Sequence, residues 1–173
     1  ASAKNQPAWL KDAVIYHIYP STYMDSDGNG IGDLKGITSR LDYIRSCGFN
    51  CIWMSPCFAS AWEDGGYDII DYYKVDPRFG TNEDLKALID KAHGLGIKVL
   101  LDLVAGHTSD KHPWFKESSK AEQNQYSDYY IWTVGKNYKK PGPKFVNNNY
   151  PRDGYYIRNF FECQPALNYG YRS

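Results

Sequence analysis

Residues 97–104 read Ile-Lys-Val-Leu-Leu-Asp-Leu-Val, an almost continuously apolar run bracketed upstream by Gly94 and Gly96. It is too short for a buried helix and too apolar for a half-solvated strand, so it predicts a strand of a parallel sheet buried on both faces. Two more runs resemble it. Residues 14–19 are β-branched and aromatic and stop at Pro20, and residues 51–54 (Cys-Ile-Trp-Met) stop before Pro56. Helical stripes separate them. Leu34, Ile37, Leu41 and Ile44 share one face and are closed by Gly48, while Leu85, Leu88, Ile89 and Ala92 share another. Thr81 with Asp84 offers a capping box for the second stripe. Strand, helix, strand, helix, strand is the alternation of an α/β fold. Polar loops follow each strand, where a β/α barrel carries its active site.

Residues 55–80 read as a long polar and aromatic loop, and the regularity fails again after Val104. The rest is rich in Tyr, Asn, Lys, Gly and Pro, with only a turn expected near residues 112–119. A closed β/α barrel takes about 250 residues, whereas this sequence has 173. A partial barrel would leave an open strand edge and bare apolar faces. The remainder of the barrel is therefore expected from the same protein or from another chain.

Lys+Arg and Asp+Glu balance at 20 each. A neutral chain has no long-range pull toward nucleic acid or an anionic membrane, and neither is expected as a partner. No apolar run reaches the length of a membrane span. Nothing resembles a secretory leader, residues 1–4 read as an expression remnant, and a cytoplasmic location is the default expectation. The cysteines at 47, 51, 57 and 163 form no CxxC pair, so buried free thiols are expected rather than zinc ligands. Sixteen Tyr and five Trp could stack on sugar rings, but such residues more often fill cores.

Residues 25–33 read Asp-Ser-Asp-Gly-Asn-Gly-Ile-Gly-Asp. Oxygen side chains recur at positions one, three, five and nine, as Asp25, Asp27, Asn29 and Asp33. The Ile31 carbonyl can fill position seven, and Gly30 allows the turn at position six. Hard cations collect such ligands, Ca2+ in preference to Mg2+, and a structural ion pinning the loop is the expectation. The bidentate Glu of an EF-hand is missing, because Gly36 stands at position twelve. The plainer alternative is an acidic turn in which Asp33 sits at a helix N-terminus.

Asp64 and Tyr67 flank Gly65-Gly66 in the loop after the second strand and could hydrogen-bond and stack on a sugar; Gly-rich surface turns with Asp are also common. His107 follows the third strand, where a histidine is as readily structural as functional. Asp102 lies within the apolar run, where a buried carboxylate needs a partner such as Arg.

The ordered set resembles one family. Residues 13–20 (Ala-Val-Ile-Tyr-His-Ile-Tyr-Pro), the loop at 25–33 with Leu-Lys-Gly-Ile after it, residues 66–72 and residues 75–81 are similar to the opening of the oligo-1,6-glucosidase and α-glucosidase branch of the α-amylase superfamily (glycoside hydrolase family 13). Residues 102–109 (Asp-Leu-Val-Ala-Gly-His-Thr-Ser) resemble its first conserved region, and residues 164–168 (Gln-Pro-Ala-Leu-Asn) its fifth. Two positions depart from that pattern: Gly106 stands where the family has Asn, and Ala166 where it has Asp.

The resemblance implies an α/β fold: the N-terminal part of a TIM (β/α)8 barrel, about three β/α units over residues 1–104, with an irregular domain B inserted after strand three over residues 105–173. It implies that Asp64, Tyr67 and His107 line the subsite of the transferred glucose ring of an α-glucooligosaccharide, that Asp102 supports them, and that residues 25–33 hold one structural Ca2+. It implies a retaining hydrolase whose nucleophile and acid/base follow strands four and five. Those carboxyl groups are expected beyond Ser173, so no catalytic residue is assigned here. The alternatives are a non-catalytic amylase-like domain, an α-glucosyl transferase or isomerase of the same superfamily, and a calcium-binding structural fragment.

Overall fold

The computed structural model describes residues 6–135, 142–146 and 149–170. The remnant expected at residues 1–4 and the chain end at Ser173 lie outside them. A 3-10 turn at Ala8–Asp12 opens the chain. It is followed by β1 Ile15–Ile18, α1 Pro20–Tyr23, α2 Leu34–Ser46, β2 Cys51–Met54, β3 Phe58–Ser60, β4 Ile69–Val75, α3 Asn82–Gly94, β5 Lys98–Leu101, α4 Pro113–Ser118, β6 Phe145–Val146 and β7 Tyr156–Ile157. These form two compact units: Ala1–Cys57 with Lys74–Asp102, and Phe58–Tyr73 with Leu103–Ser173.

The first unit carries the β/α alternation. Its sheet has the order β1-β2-β5 and is parallel throughout, with Ile15 opposite Cys51 and Cys51 opposite Lys98. The strands Ile52, Met54 and Ile18 contribute to a core with Leu34, Ile37, Leu41 and Ile44 of α2 and Leu88 and Ala92 of α3, all 0–1 % exposed. Each of the Leu, Ile and Met side chains among them contributes about 1.5–3 kcal/mol by leaving water. Asp33 N-caps α2 by accepting from the Gly36 N–H at 2.6 Å. Thr81 and Asp84 form the expected capping box of α3.

The third strand departs from expectation. It ends at Leu101 rather than Val104, and its residues are exposed at the two ends and half-buried between them instead of being buried on both faces. It pairs with β2 on one side only, so among the described residues its other edge and its outer side chains lack a covering layer. Leu103, beyond it, is 80 % exposed. Asp102 therefore lies just past the strand, half-buried, with its N–H donating to the Met54 carbonyl at 3.2 Å. Cys47 is also exposed, whereas Cys51 and Cys57 are buried as expected; all are free thiols.

The second unit contains strands within stretches expected to be loop. β3 and β4 pair in a two-stranded sheet, and the last two residues of β4 belong to the first unit. The sequence of β4 is β-branched and aromatic, but β3 is only three residues long, too short to announce a partner. The aromatics form the core: Phe115, Tyr130, Val146 and Tyr156 are buried, with Trp114, Trp132, Tyr150 and Leu167 packed around them. Phe115 stacks on Trp132 at 5.6 Å and meets Tyr130, Tyr150 and Tyr156 edge-on. Irregular backbone is held by isolated bridges, His107 with Ala166, Tyr130 with Leu167 and Arg158 with Pro165, rather than by long strands. Among the described residues no helix is long and apolar enough to cross a membrane.

Candidate functional site

The loop between β3 and β4 is built around Asp68. This residue is fully buried. Its Oδ1 accepts from Ser60 Oγ at 2.9 Å and from the Asp64 N–H at 3.1 Å, and its Oδ2 accepts from the Glu63 N–H at 3.0 Å. Charge-assisted bonds to backbone donors are strong, so Asp68 fixes the turn that presents Asp64. Gly65 and Gly66 take positive φ of 56° and 99°, which lets the chain double back there. The Tyr67 N–H closes the turn on the Asp64 carbonyl at 2.9 Å.

Asp64 and Tyr67 each reach a different downstream segment. Gln164, 0 % exposed, donates from Nε2 to Asp64 Oδ2 at 2.6 Å while its Oε1 accepts from the Phe161 N–H at 3.0 Å. The Tyr67 carbonyl faces His107 Nε2 at 3.0 Å. A carbonyl only accepts, so Nε2 carries the hydrogen. Nδ1 of the same ring faces the Asn159 side-chain amide at 3.3 Å, and the Phe160 ring stands edge-on at 5.7 Å. Burial pushes the His107 pKa down, against the opposing pull of the Tyr67 carbonyl, Asp64 and Asp68. The ring is neutral at neutral pH. The three expected sugar-binding residues are thus brought together within the second unit, 40 residues apart in the case of Tyr67 and His107.

The first and fifth conserved segments also meet here. The Leu167 N–H donates to the Gly106 carbonyl at 3.0 Å and the Thr108 N–H to the Pro165 carbonyl at 3.3 Å. Ala166 is therefore bridged to His107, the residue next to Gly106, so the two departures noted in the sequence lie close together. Sequence reasoning missed Asp68, Gln164 and Asn159 as positioning groups. Gln164 opens the 164–168 segment, but nothing in linear sequence pairs it with a residue 100 positions away.

The acidic loop belongs to the first unit. Oxygens of Asp25, Asp27 and Asp33 all lie within 4.8 Å of one another. Asp25 Oδ1 accepts from the Asp27 and Gly28 N–H groups, and Oδ2 from Gly30 at 2.7 Å. These bonds, the Gly30 one foremost, hold its carboxyl below the usual range. Burial pushes Asp33 up, but N–H donors at Ser26 and Gly36 outweigh it and leave the group lowered. Asn29 Oδ1 accepts from the Ile31 N–H at 2.8 Å, and Asn29 Nδ2 donates to Asp27 Oδ2 at 3.2 Å. Three carboxylates and an amide oxygen are the kind of donor set that a hard cation such as Ca2+ collects. A Cβ on Gly36 would stand 2.0 Å from the Met24 carbonyl oxygen, which explains why no twelfth-position Glu exists in this loop.

Residues 17–172 match the catalytic domain of alpha-amylase. The chain belongs to that family. Oligo-1,6-glucosidase of Heyndrickxia coagulans is 47 % identical over 169 residues, a match covering 93 % of this chain and 30 % of that protein. Trehalose synthase/amylase TreS of Mycobacterium tuberculosis is 42 % identical over 177 residues, covering 98 % and 30 %. Among solved structures, trehalulose synthase MutB of Pseudomonas mesoacidophila MX-45 aligns with a TM-score of 0.89 at 38 % identity, covering 96 % of this chain and 31 % of that one. The chain thus spans about a third of the length of the relatives it matches. Its parallel strands and helices are the first β/α units of the family's TIM barrel, with the irregular insertion that follows the third strand.

Proposed function

We propose that this chain is part of an α-glucosidase-like, retaining glycoside hydrolase, and that it grips the glucose ring whose bond is cleaved. Asp64, Tyr67 and His107 line that subsite, Asp102 is assigned a supporting role, and residues 105–173 form the family's domain B. The observation that carries the reading is the cross-tying of the Asp64 loop to Gln164 and His107, which holds a carboxylate and a neutral imidazole on fixed supports. Such preorganisation is what a sugar subsite needs. Retaining cleavage takes two carboxyl groups flanking the bond, and these are assigned to the part of such enzymes that this chain does not cover. Residues Asp25, Asp27, Asn29, Ile31 (through its carbonyl) and Asp33 hold one Ca2+, which stiffens the first β/α loop. The other partner is an α-glucooligosaccharide.

In the full-length enzyme, Asp64→Asn is expected to lower kcat/KM on p-nitrophenyl α-glucoside by about a hundredfold, since hydrogen bonds to charged groups are worth about 1.5–3 kcal/mol. An unchanged value would sink the subsite assignment. A second reading is favoured by the names of two relatives, a trehalose synthase and a trehalulose synthase: the same subsite would serve isomerisation. Analysing the products formed from sucrose, maltose and isomaltose separates glucose release from rearrangement.

A further inference from the structure

Gly106 has no conformational reason to be glycine, since it is not among the residues with positive φ. Its reason is steric. Beyond its chain neighbours, a Cβ at this position would meet one heavy atom within 4 Å, the side-chain nitrogen of Asn159, at 2.9 Å. That nitrogen donates to the Gly106 carbonyl at 2.8 Å. A carbonyl accepts only, so the group facing it is the NH2, which leaves its second hydrogen for His107 Nδ1 at 3.3 Å. His107 is thereby read from both ends. Its Nε2 must donate to the Tyr67 carbonyl, and its Nδ1 must accept from Asn159.

We propose that Asn159 is a positioning residue for His107: its amide fills the space left by the missing side chain at position 106 and holds the imidazole as the neutral Nε2–H tautomer. The proposal rests on the reading that His107 contacts the glucose ring. A ring so held keeps a fixed plane and a fixed hydrogen. Protonation at Nδ1 would set an N–H against the amide N–H, so Asn159 opposes it. The charges of Asp64 and Asp68 pull the other way. The Phe160 ring, edge-on at 5.7 Å, carries no charge and leaves Asn159 as the polar group at Nδ1.

The test uses the full-length enzyme labelled with 15N-histidine, with the His107 signal assigned by its loss in His107→Gln. Kinetics on p-nitrophenyl α-glucoside, melting curves and the His107 titration are measured together. Asn159→Ala is expected to lower kcat/KM about tenfold, a factor equal to one good hydrogen bond. Asn159→Asp keeps the shape but puts an acceptor on Nδ1, so His107 should protonate about one pH unit higher or more. Gly106→Asn alone should lose activity, because its side chain collides with Asn159. Combined with Asn159→Ala, it should regain activity by delivering an amide from the other side. A purely structural Asn159 would lower the melting temperature in these variants without moving the His107 titration. If His107→Gln loses activity while Asn159→Asp leaves both the titration and kcat/KM at parental values, the positioning role is overturned and the subsite reading stands. If His107→Gln itself keeps parental kcat/KM, the subsite reading has failed.

Discussion

Asp64 is only half-buried, and a carboxylate on a Gly-rich turn would ordinarily sample several rotamers. Gln164 removes that freedom. Its amide is fully buried and spans from the Phe161 N–H to Asp64 Oδ2, so each end fixes the other. Replacing it by the nearly isosteric Leu leaves the half-buried Asp64 carboxylate and the Phe161 N–H each without this partner. A hydrogen bond to a charged group contributes about 1.5–3 kcal/mol. Gln164→Leu in the full-length enzyme is therefore expected to raise KM for p-nitrophenyl α-glucoside by about tenfold or more, with a smaller effect on kcat. A KM within twofold of the parent would contradict the assignment.

Two elements titrate in opposite chemical senses but weaken in the same direction of pH. Helix α4 is N-capped by His112, whose Nδ1 accepts from the Trp114 N–H at 3.0 Å. Burial lowers its pKa to about 4. A depressed histidine stabilises the fold above its unfolded pKa, about 6.5. That contribution drains away as pH falls from there toward 4, because the unfolded chain takes up the proton first. The full effect is of order 3 kcal/mol at the low end. His112→Asn keeps a cap acceptor that does not titrate, so its melting temperature should fall less than the parent's between pH 6.5 and 4.5. Equal slopes would show that the cap is not the titrating element. The acidic loop behaves as lowered carboxylates do. Asp25 and Asp33 favour the folded state above about pH 4 and lose that contribution as pH drops through their folded pKa values. Ca2+ at a hundred times its Kd should add about 2.7 kcal/mol of stability. Calorimetric melts with Ca2+ and with EDTA should differ by several degrees in the parent and coincide in Asp25→Asn; coincidence in the parent itself would remove the metal site.

At the scale of the whole molecule, the sheet of the first unit is the informative part. β1 and β5 are its outer strands, and Ile15, Trp53 and Leu101 are 43, 39 and 36 % exposed. In the family's barrel such strands continue into neighbours. The 173-residue chain on its own is expected to show no turnover of p-nitrophenyl α-glucoside. It is also expected to associate on concentration, since open edges and bare apolar faces template pairing. Light scattering and an activity assay check both; robust turnover by the isolated chain would refute the assignment of the catalytic carboxylates to chain outside this one.

Periodicity and turn chemistry were enough to locate β1, α2, β2, α3 and its capping box, because each rests on neighbours within one or two helical turns. The acidic loop was legible for the same reason: its oxygen-bearing side chains alternate along nine residues, and local N–H bonds fold them together. The ends of β5 and the pairing of β3 with β4 were not legible, since burial and strand partners belong to other parts of the chain. Nor were the roles of Asp68, Gln164 and Asn159. A side chain becomes a clamp only when the fold brings a distant partner to its donor or acceptor, as Gln164 meets Asp64 across 100 residues and Asn159 meets His107 across 52. Local chemistry thus determined which loops carry the polar groups, and tertiary packing alone decided which of those groups face one another and in what protonation state.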